Sequence, residues 1–267
     1  MRKPPDGLSP MCMRKKANQG EGGALHRSLP RLYVEAPIRA GAALECTPSQ
    51  ANYLGNVLRL GVAETLLVFN GSDGEWLAEI TAMKRGACVL TAREQVRPQA
   101  GGPDIHYLFA PLKKARLDYM VQKAAEMGVS ALRPVMTRRT NAERVNVERI
   151  RANAIEAAEQ CGVLRLPEVF EPEKLGQVLG GWDAARALVF ADEAASMASP
   201  LAALQTVPQG ALALLIGPEG GFDPAEREML LRQPFVHAIS LGPRVMRADT
   251  AAVAALALMN AVLGDWA

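Results

Sequence analysis

Two short apolar runs, each followed by a glycine-bearing loop and then a helix, restrict the fold of this chain more than any other stretch. Residues 211–216 lead into Gly217-Pro218-Glu219-Gly220-Gly221-Phe222. Residues 236–241 lead into Leu241-Gly242-Pro243-Arg244-Val245-Met246-Arg247-Ala248-Asp249-Thr250-Ala251. After the first loop, Asp223, Pro224 and Glu226 spell an N-cap, an N1 proline and a capping box. After the second, residues 250–263 are rich in Ala, Leu, Val and Met, and Gly264 stands at a C′ position. Strand–loop–helix units in succession predict a parallel α/β sheet, with both loops at the carboxyl ends of neighbouring strands, where such sheets bind ligands.

The preceding residues extend the same alternation. Residues 105–110, 132–136 and 187–191 read as strands. Residues 113–127, with Leu117, Met120, Val121, Ala124 and Met127 on one face, and residues 147–161 read as helices ended by Gly128 and Gly162. Residues 105–267 therefore form one α/β domain. Residues 98–104, with Pro98, Gly101, Gly102 and Pro103, are a linker. In front of it, residues 29–97 predict short strands at 31–34, 65–69, 76–81 and 87–91, a turn at Asn70-Gly71-Ser72-Asp73-Gly74 and one helix at 49–58: a small β-barrel. Residues 1–28, with six basic and two acidic side chains, read as a disordered basic tail, or as an over-long start with Met11 or Met13 as alternatives.

Composition excludes several classes. No apolar run approaches the roughly 18 residues of a membrane span. Cys12, Cys46, Cys88 and Cys161 are scattered without a Cys-x-x-Cys, and His26, His106 and His237 lie far apart. Neither a metal site nor a disulfide framework is expected, and a reducing cytoplasm suits the chain. The glycine loops are not phosphate cradles. The first lacks the Lys-Ser/Thr of a Walker loop, and neither contains Gly-x-Gly-x-x-Gly. A neutral or cationic nucleoside fits better than a triphosphate. Charge is polarised: residues 104–151 hold ten Lys/Arg against five Asp/Glu, whereas residues 152–267 hold seven against fourteen. A basic stretch opening an acidic domain points to an anionic partner met on one face.

The paired loops, Leu215 to Phe222 and Leu241 to Ala251, resemble the signature of the SPOUT, or trefoil-knot, methyltransferases. Within them they resemble the family that methylates N3 of a uridine in 16S ribosomal RNA. Gln122 to Val129, Arg138-Arg139-Thr140 and Glu156 to Gly162 are similar to further motifs of that family. Asn52-Tyr53-Leu54 to Val57-Leu58-Arg59 is similar to a motif of its PUA-like RNA-binding front domain, with Asn52 where the family has histidine. Val163 stands where the family continues with arginine, two residues before Arg165.

The resemblance implies a C-terminal knot, a homodimer, S-adenosylmethionine as cofactor, and 16S rRNA in the assembled small subunit as partner. It implies cofactor contacts from Leu215, Ile216, Gly217, Pro218, Glu219, Gly220 and Gly221, and from Ser240, Leu241, Gly242, Val245, Met246, Arg247, Thr250 and Ala251. Arg31, Arg59, Lys113, Lys114, Arg116, Arg138, Arg139 and Arg165 are the expected RNA contacts.

Methyl transfer from a sulfonium needs alignment and the handling of one proton, not a metal. Arg247 and Arg244 are candidates for stabilising charge on the uridine carbonyls or for holding the RNA backbone. Glu219 is a candidate base, or an orienting or charge-balancing group. Two other readings are a SPOUT enzyme acting on tRNA or a ribose 2′-hydroxyl, and a non-catalytic RNA-binding protein.

Overall fold

The computed structural model describes residues 29–141, 144–196 and 199–266, so the tail expected over residues 1–28 lies outside the described residues. The first unit is a five-stranded sheet of β1 (Arg31–Tyr33), β2 (Ala43–Glu45), β3 (Thr65–Phe69), β4 (Glu75–Lys84) and β5 (Ala87–Arg97), ordered β1-β3-β4-β5-β2. Register shifts along the β4–β5 ladder bend it around a core that includes Leu54, Leu66, Val68, Ile80 and Leu90. Strand β2 is absent from the sequence expectation because it is three residues long with only Leu44 buried. The expected helix at 49–58 divides into α1 (Pro48–Asn52) and a π-helical turn, Tyr53–Val57. Thr47 caps it through a reciprocal box with Gln50, and Leu58 N–H donates back five residues to the Tyr53 carbonyl.

The second unit is a parallel sheet. Strands β6 (Ile105–Phe109), β7 (Ala131–Met136), β8 (Glu168–Val169), β10 (Ala187–Ala191), β11 (Leu212–Ile216) and β12 (Val236–Ile239) run in the order β12-β10-β11-β6-β7-β8, and β9 (Glu173–Lys174) also pairs with β7. Both faces are covered, as parallel sheets require. On one face α2 (Lys114–Glu126), α3 (Val147–Cys161) and α7 (Ala248–Val262) pack over Ile105, Tyr107, Phe109, Leu212, Leu214 and Ile216. On the other, α4 (Leu175–Gly180) and α6 (Pro224–Leu231) cover Leu108, Leu188, Phe190, Ala213 and Leu215. A short helix, α5 (Pro200–Leu204), lies between β10 and β11 in the chain. The expected capping box of α6 is present: Asp223 accepts from Ala225 N–H at 3.0 Å, and Glu226 accepts from Asp223 N–H at 3.4 Å. Helix α7 starts two residues earlier than the apolar run suggested, because Arg247 takes the extended N-cap conformation.

The two units are pinned together by a buried ion cluster. Glu75 is 3% exposed and accepts from Arg31 Nε at 2.5 Å and Arg97 Nε at 2.7 Å. Arg31 also donates to the carbonyls of Ala158, Glu159 and Val163, and Arg97 to that of Gly162, so both guanidiniums close the carboxyl end of α3. Tyr33 N–H donates to the Glu159 carboxylate at 2.8 Å. Phe69, Ala158 and Leu164 form a small apolar cluster alongside. Arg31 was expected to meet RNA. Its guanidinium lies inside this joint instead, with its face over the Phe69 ring.

His106, on β6, lies near Asp104, Arg186, Arg133 and the Phe170 ring, with Nδ1 buried and unpartnered. Asp104, 3.7 Å away, favours the charged ring, but burial, then Arg186 and Arg133, outweigh it and push its pKa from 6.5 down to about 4. Between those values the unfolded chain binds the extra proton, so this residue contributes a loss of stability as pH falls from 6.5 toward 4. Thermal melts across that window should show a shallower fall for H106F than for the parent chain. Equal slopes would contradict the assignment.

Candidate active site

A cavity of about 900 Å³ opens at the carboxyl ends of β12, β10 and β11; the two loop-bearing strands, β11 and β12, expected to be neighbours, are separated by β10, which pairs with both. Two loops make most of the cavity. The first leaves β11 through Gly217 and Pro218 and turns at Gly221, whose N–H donates to the Pro218 carbonyl at 2.9 Å and whose φ is +68°. Gly217 is required by its neighbour: a Cβ there would lie 2.4 Å from the Phe222 ring. The second loop leaves β12 and passes through Gly242, at φ +110°, before Arg247 starts α7. Val245 is 84% exposed on it.

Of the residues expected to hold the cofactor, Ile216, Gly217, Pro218, Glu219, Gly221, Leu241, Gly242, Val245, Met246, Arg247 and Ala251 line the cavity, as does Arg244. Four do not. Strand alternation turns Leu215 toward Phe190 and Leu230 in the core on the opposite face. Gly220 directs its carbonyl to Arg139 at 3.0 Å. Ser240 is buried, and its hydroxyl supports the second loop by accepting from Gly242 N–H at 3.3 Å. Thr250 is exposed on α7.

The cavity also has a wall that the motifs did not indicate. Ala191, Asp192, Glu193 and Ala194 at the end of β10, and Arg227, Glu228, Leu231 and Arg232 of α6 with its C-cap, line it. Asp192 is buried; its carboxylate accepts from Arg227 Nε at 3.0 Å and forms an ion pair with Nη2 at 2.8 Å. The position of β10 beside β11 could have nominated this wall, because ligands meet parallel sheets beyond strand carboxyl ends.

The expected RNA contacts separate into three groups. Arg59, Lys113 and Lys114 are exposed, and their side chains make no hydrogen bond or ion pair among the described residues. Arg116, Arg138 and Arg139 grip the first loop: Arg116 pairs with Glu219, Arg138 with Asp223 at 2.8 Å, and Arg139 with the Gly220 carbonyl. Arg138 N–H further donates to the buried Glu226 carboxylate at 2.9 Å. Arg165, like Arg31, is turned inward; it donates to the carbonyls of Gly102, Pro103 and Gly128, fastening the linker.

A family model described as an RNA methyltransferase domain matches residues 100–260, and one described as an RNA methyltransferase PUA domain matches residues 47–92. The ribosomal RNA small subunit methyltransferase E of Synechocystis is 30% identical over 239 residues, 87% of this chain and 78% of that protein. The chain belongs to the ribosomal RNA small subunit methyltransferase E family. The family membership expected from the two loops therefore holds, and so does the fold class of a parallel α/β domain behind a PUA-like front. Two solved relatives superpose over most of their length. The Neisseria gonorrhoeae member of the family, bound to S-adenosylmethionine, gives a TM-score of 0.81 at 25% identity over 90% of this chain and 100% of its own. A Legionella pneumophila methyltransferase with bound S-adenosylmethionine gives 0.79 at 30% identity over 89% of this chain and 99% of its own.

The cavity suits the cofactor that the family uses. Its volume is that of a small-molecule site. Ile216, Pro218, Phe222, Leu241 and Met246 give apolar walls for a nucleoside and a thioalkyl chain, and the glycines let backbone groups approach. Four carboxylates are part of the lining, and neither loop has the sequence of a phosphate cradle.

Proposed function

We propose that the protein transfers a methyl group from S-adenosylmethionine to N3 of an unpaired uridine in 16S ribosomal RNA, with Arg247 and Arg244 acting on the uridine. The observation that carries this reading is the composition of the cavity. Apolar side chains and one carboxylate without a cationic partner, Glu193, suit a cationic nucleoside, and the second loop presents two exposed arginines without ion-pair partners among the described residues.

S-adenosylmethionine supplies, when bound, a methyl group on a cationic sulfur. The backbone and apolar side chains of the two loops hold it and fix the direction in which that methyl points. Arg244 and Arg247 meet the uridine carbonyls that flank N3. Placing positive charge where the imide anion develops lowers the barrier to loss of the N3 proton, which passes to water at the open mouth. Glu219 has the orienting role rather than that of base, because Arg116 already engages its carboxylate and so ties the first loop to the start of α2. N3 lies on the pairing edge, so the uridine reacts only when unstacked or unpaired.

Arg59, Lys113 and Lys114 contribute phosphate contacts along the way from the front domain. This reading places the boundary between RNA-reading and catalytic domains at residues 98–104, a trefoil knot at the two loops, and a homodimer through the C-terminal domain. It sets the reaction in the cytoplasm, on the assembled small subunit.

The test is mass spectrometry of nucleosides from 16S rRNA or small subunits incubated with labelled cofactor. Label is expected in 3-methyluridine. R247A should retain cofactor binding yet label about 100-fold more slowly, the loss typical of removing one charge-stabilising donor. Label in a ribose-methylated nucleoside, or none on either substrate, would overturn the proposal.

A further inference from the structure

We propose that Glu193 is the residue by which this cavity distinguishes the cationic methyl donor from the neutral thioether that remains after transfer; the inference rests on reading the cavity as the S-adenosylmethionine site. Four carboxylates line the cavity: Asp192, Glu193, Glu219 and Glu228. Three are already neutralised within the protein. Asp192 is held by Arg227, Glu219 by Arg116, and Glu228 by Arg232. Glu193 has no cationic partner among the described residues. The unpaired anionic charge of this wall is therefore concentrated on one side chain.

Its position is built rather than incidental. The turn after β10 is set by Asp192, whose carboxylate accepts from Ala194 N–H at 3.1 Å and whose carbonyl accepts from Ala195 N–H at 3.1 Å. This turn carries Glu193 over the first loop, where its Oε1 lies 3.1 Å from the point a Cβ on residue 221 would occupy. Gly221 thus serves twice, by adopting φ +68° and by leaving room for the carboxylate. The unpaired charges that the second loop brings to the cavity have the opposite sign, on Arg244 and Arg247. The lining thus offers one unpaired carboxylate to the donor and two unpaired guanidiniums to the substrate.

Transfer breaks the bond between sulfur and methyl carbon. The electron pair stays on sulfur, the uridine nitrogen gains the methyl and has lost its proton, and the donor loses one positive charge. Attraction to Glu193 disappears with that charge. Glu193 is exposed, so its charge is screened by water, and at a few ångströms from the sulfonium it would account for about a tenfold preference. Product therefore leaves a site that still favours fresh donor.

Isothermal titration of the full-length protein with S-adenosylmethionine and with S-adenosylhomocysteine tests this. E193Q should bind the first about tenfold more weakly and the second within about twofold of the parent chain, and E193D should keep the parental preference. If E193Q weakens both ligands alike, the carboxylate reads a part they share, and the proposal falls. If E193Q changes neither, it also falls. If the parent chain binds neither ligand, the reading of the cavity itself is wrong, which is a different result from a parent that binds and a variant that does not discriminate.

Discussion

Substituting Gly217 with alanine should weaken S-adenosylmethionine binding by about 10- to 100-fold while leaving the chain folded. The added methyl would sit 2.4 Å from Cε2 and 2.9 Å from Cδ2 of Phe222, so the ring must move. Movement toward the core is opposed by Phe190, whose ring packs at right angles to that of Phe222 with centroids 5.1 Å apart. The open direction is the cavity that Phe222 lines. Overpacking of this kind costs about 1–3 kcal/mol, and each 1.4 kcal/mol lost from binding is about tenfold. Titration calorimetry reads the affinity and circular dichroism the fold. The double variant G217A/F222L should recover much of the lost affinity, because the smaller side chain vacates the contested space. A G217A chain that binds the cofactor as the parent does would show that the ring has another place to go.

Features decided by neighbouring residues were legible in the sequence. The cap at Asp223, Pro224 and Glu226 depends on groups within three residues of one another, and the structure forms it. Helix α3 begins and ends where its periodicity and Gly162 place it, with Gly162 in the left-handed C-cap conformation. The cavity-lining part of the two loops was legible for a similar reason, since glycine spacing reports backbone that must turn sharply or approach closely.

What was not legible depends on partners far away in the chain. Nothing near Arg31 indicates that its guanidinium will reach carbonyls 127 to 132 residues later. An arginine destined for phosphate and one destined for a helix end look alike until the fold brings a helix end to one of them. Arg165 was misread in the same way, its partners being the linker and the turn after α2. The wall at Asp192 and Glu193 was missed because the loop after β10 carries no glycine signature. Its role comes only from strand order, with β10 lying between β12 and β11. Strand β2 owes its existence to β5, which pairs with it at residues 43–45.

Replacing Glu75 with alanine should cost about 3 kcal/mol of stability and weaken RNA binding without altering cofactor affinity. Burial alone would raise the pKa of this carboxyl, but the hydrogen bonds and charges of Arg97 and Arg31 together hold it below its usual range. Removing it leaves Arg31 almost buried beside an empty space with no counter-charge. Breaking a buried pair in this way costs about 3–5 kcal/mol, and the lower figure applies here because Arg97 is half-exposed and can rehydrate. The same two guanidiniums close the end of α3, so without Glu75 the front sheet is held to the unit that contains the cavity only by the Tyr33–Glu159 hydrogen bond, the Phe69 cluster and whatever contacts the freed arginines keep. On the proposed function, RNA touching Arg59 on one unit and the second loop on the other would then bind two surfaces whose separation fluctuates, and affinity would fall through lost pre-organisation. The cavity proposed for the cofactor is lined only by residues of the second unit, so cofactor affinity should be spared. Denaturant unfolding, RNA titration and cofactor titration of E75A separate these effects. Loss of cofactor affinity in step with RNA affinity would mean that the joint supports the cavity itself and not only the spacing between the units. Because the folded pKa is depressed, the stability due to Glu75 is present above its unfolded value of 4.5 and is lost as pH falls through the folded one. The penalty of E75A should accordingly be large at neutral pH and shrink in acid.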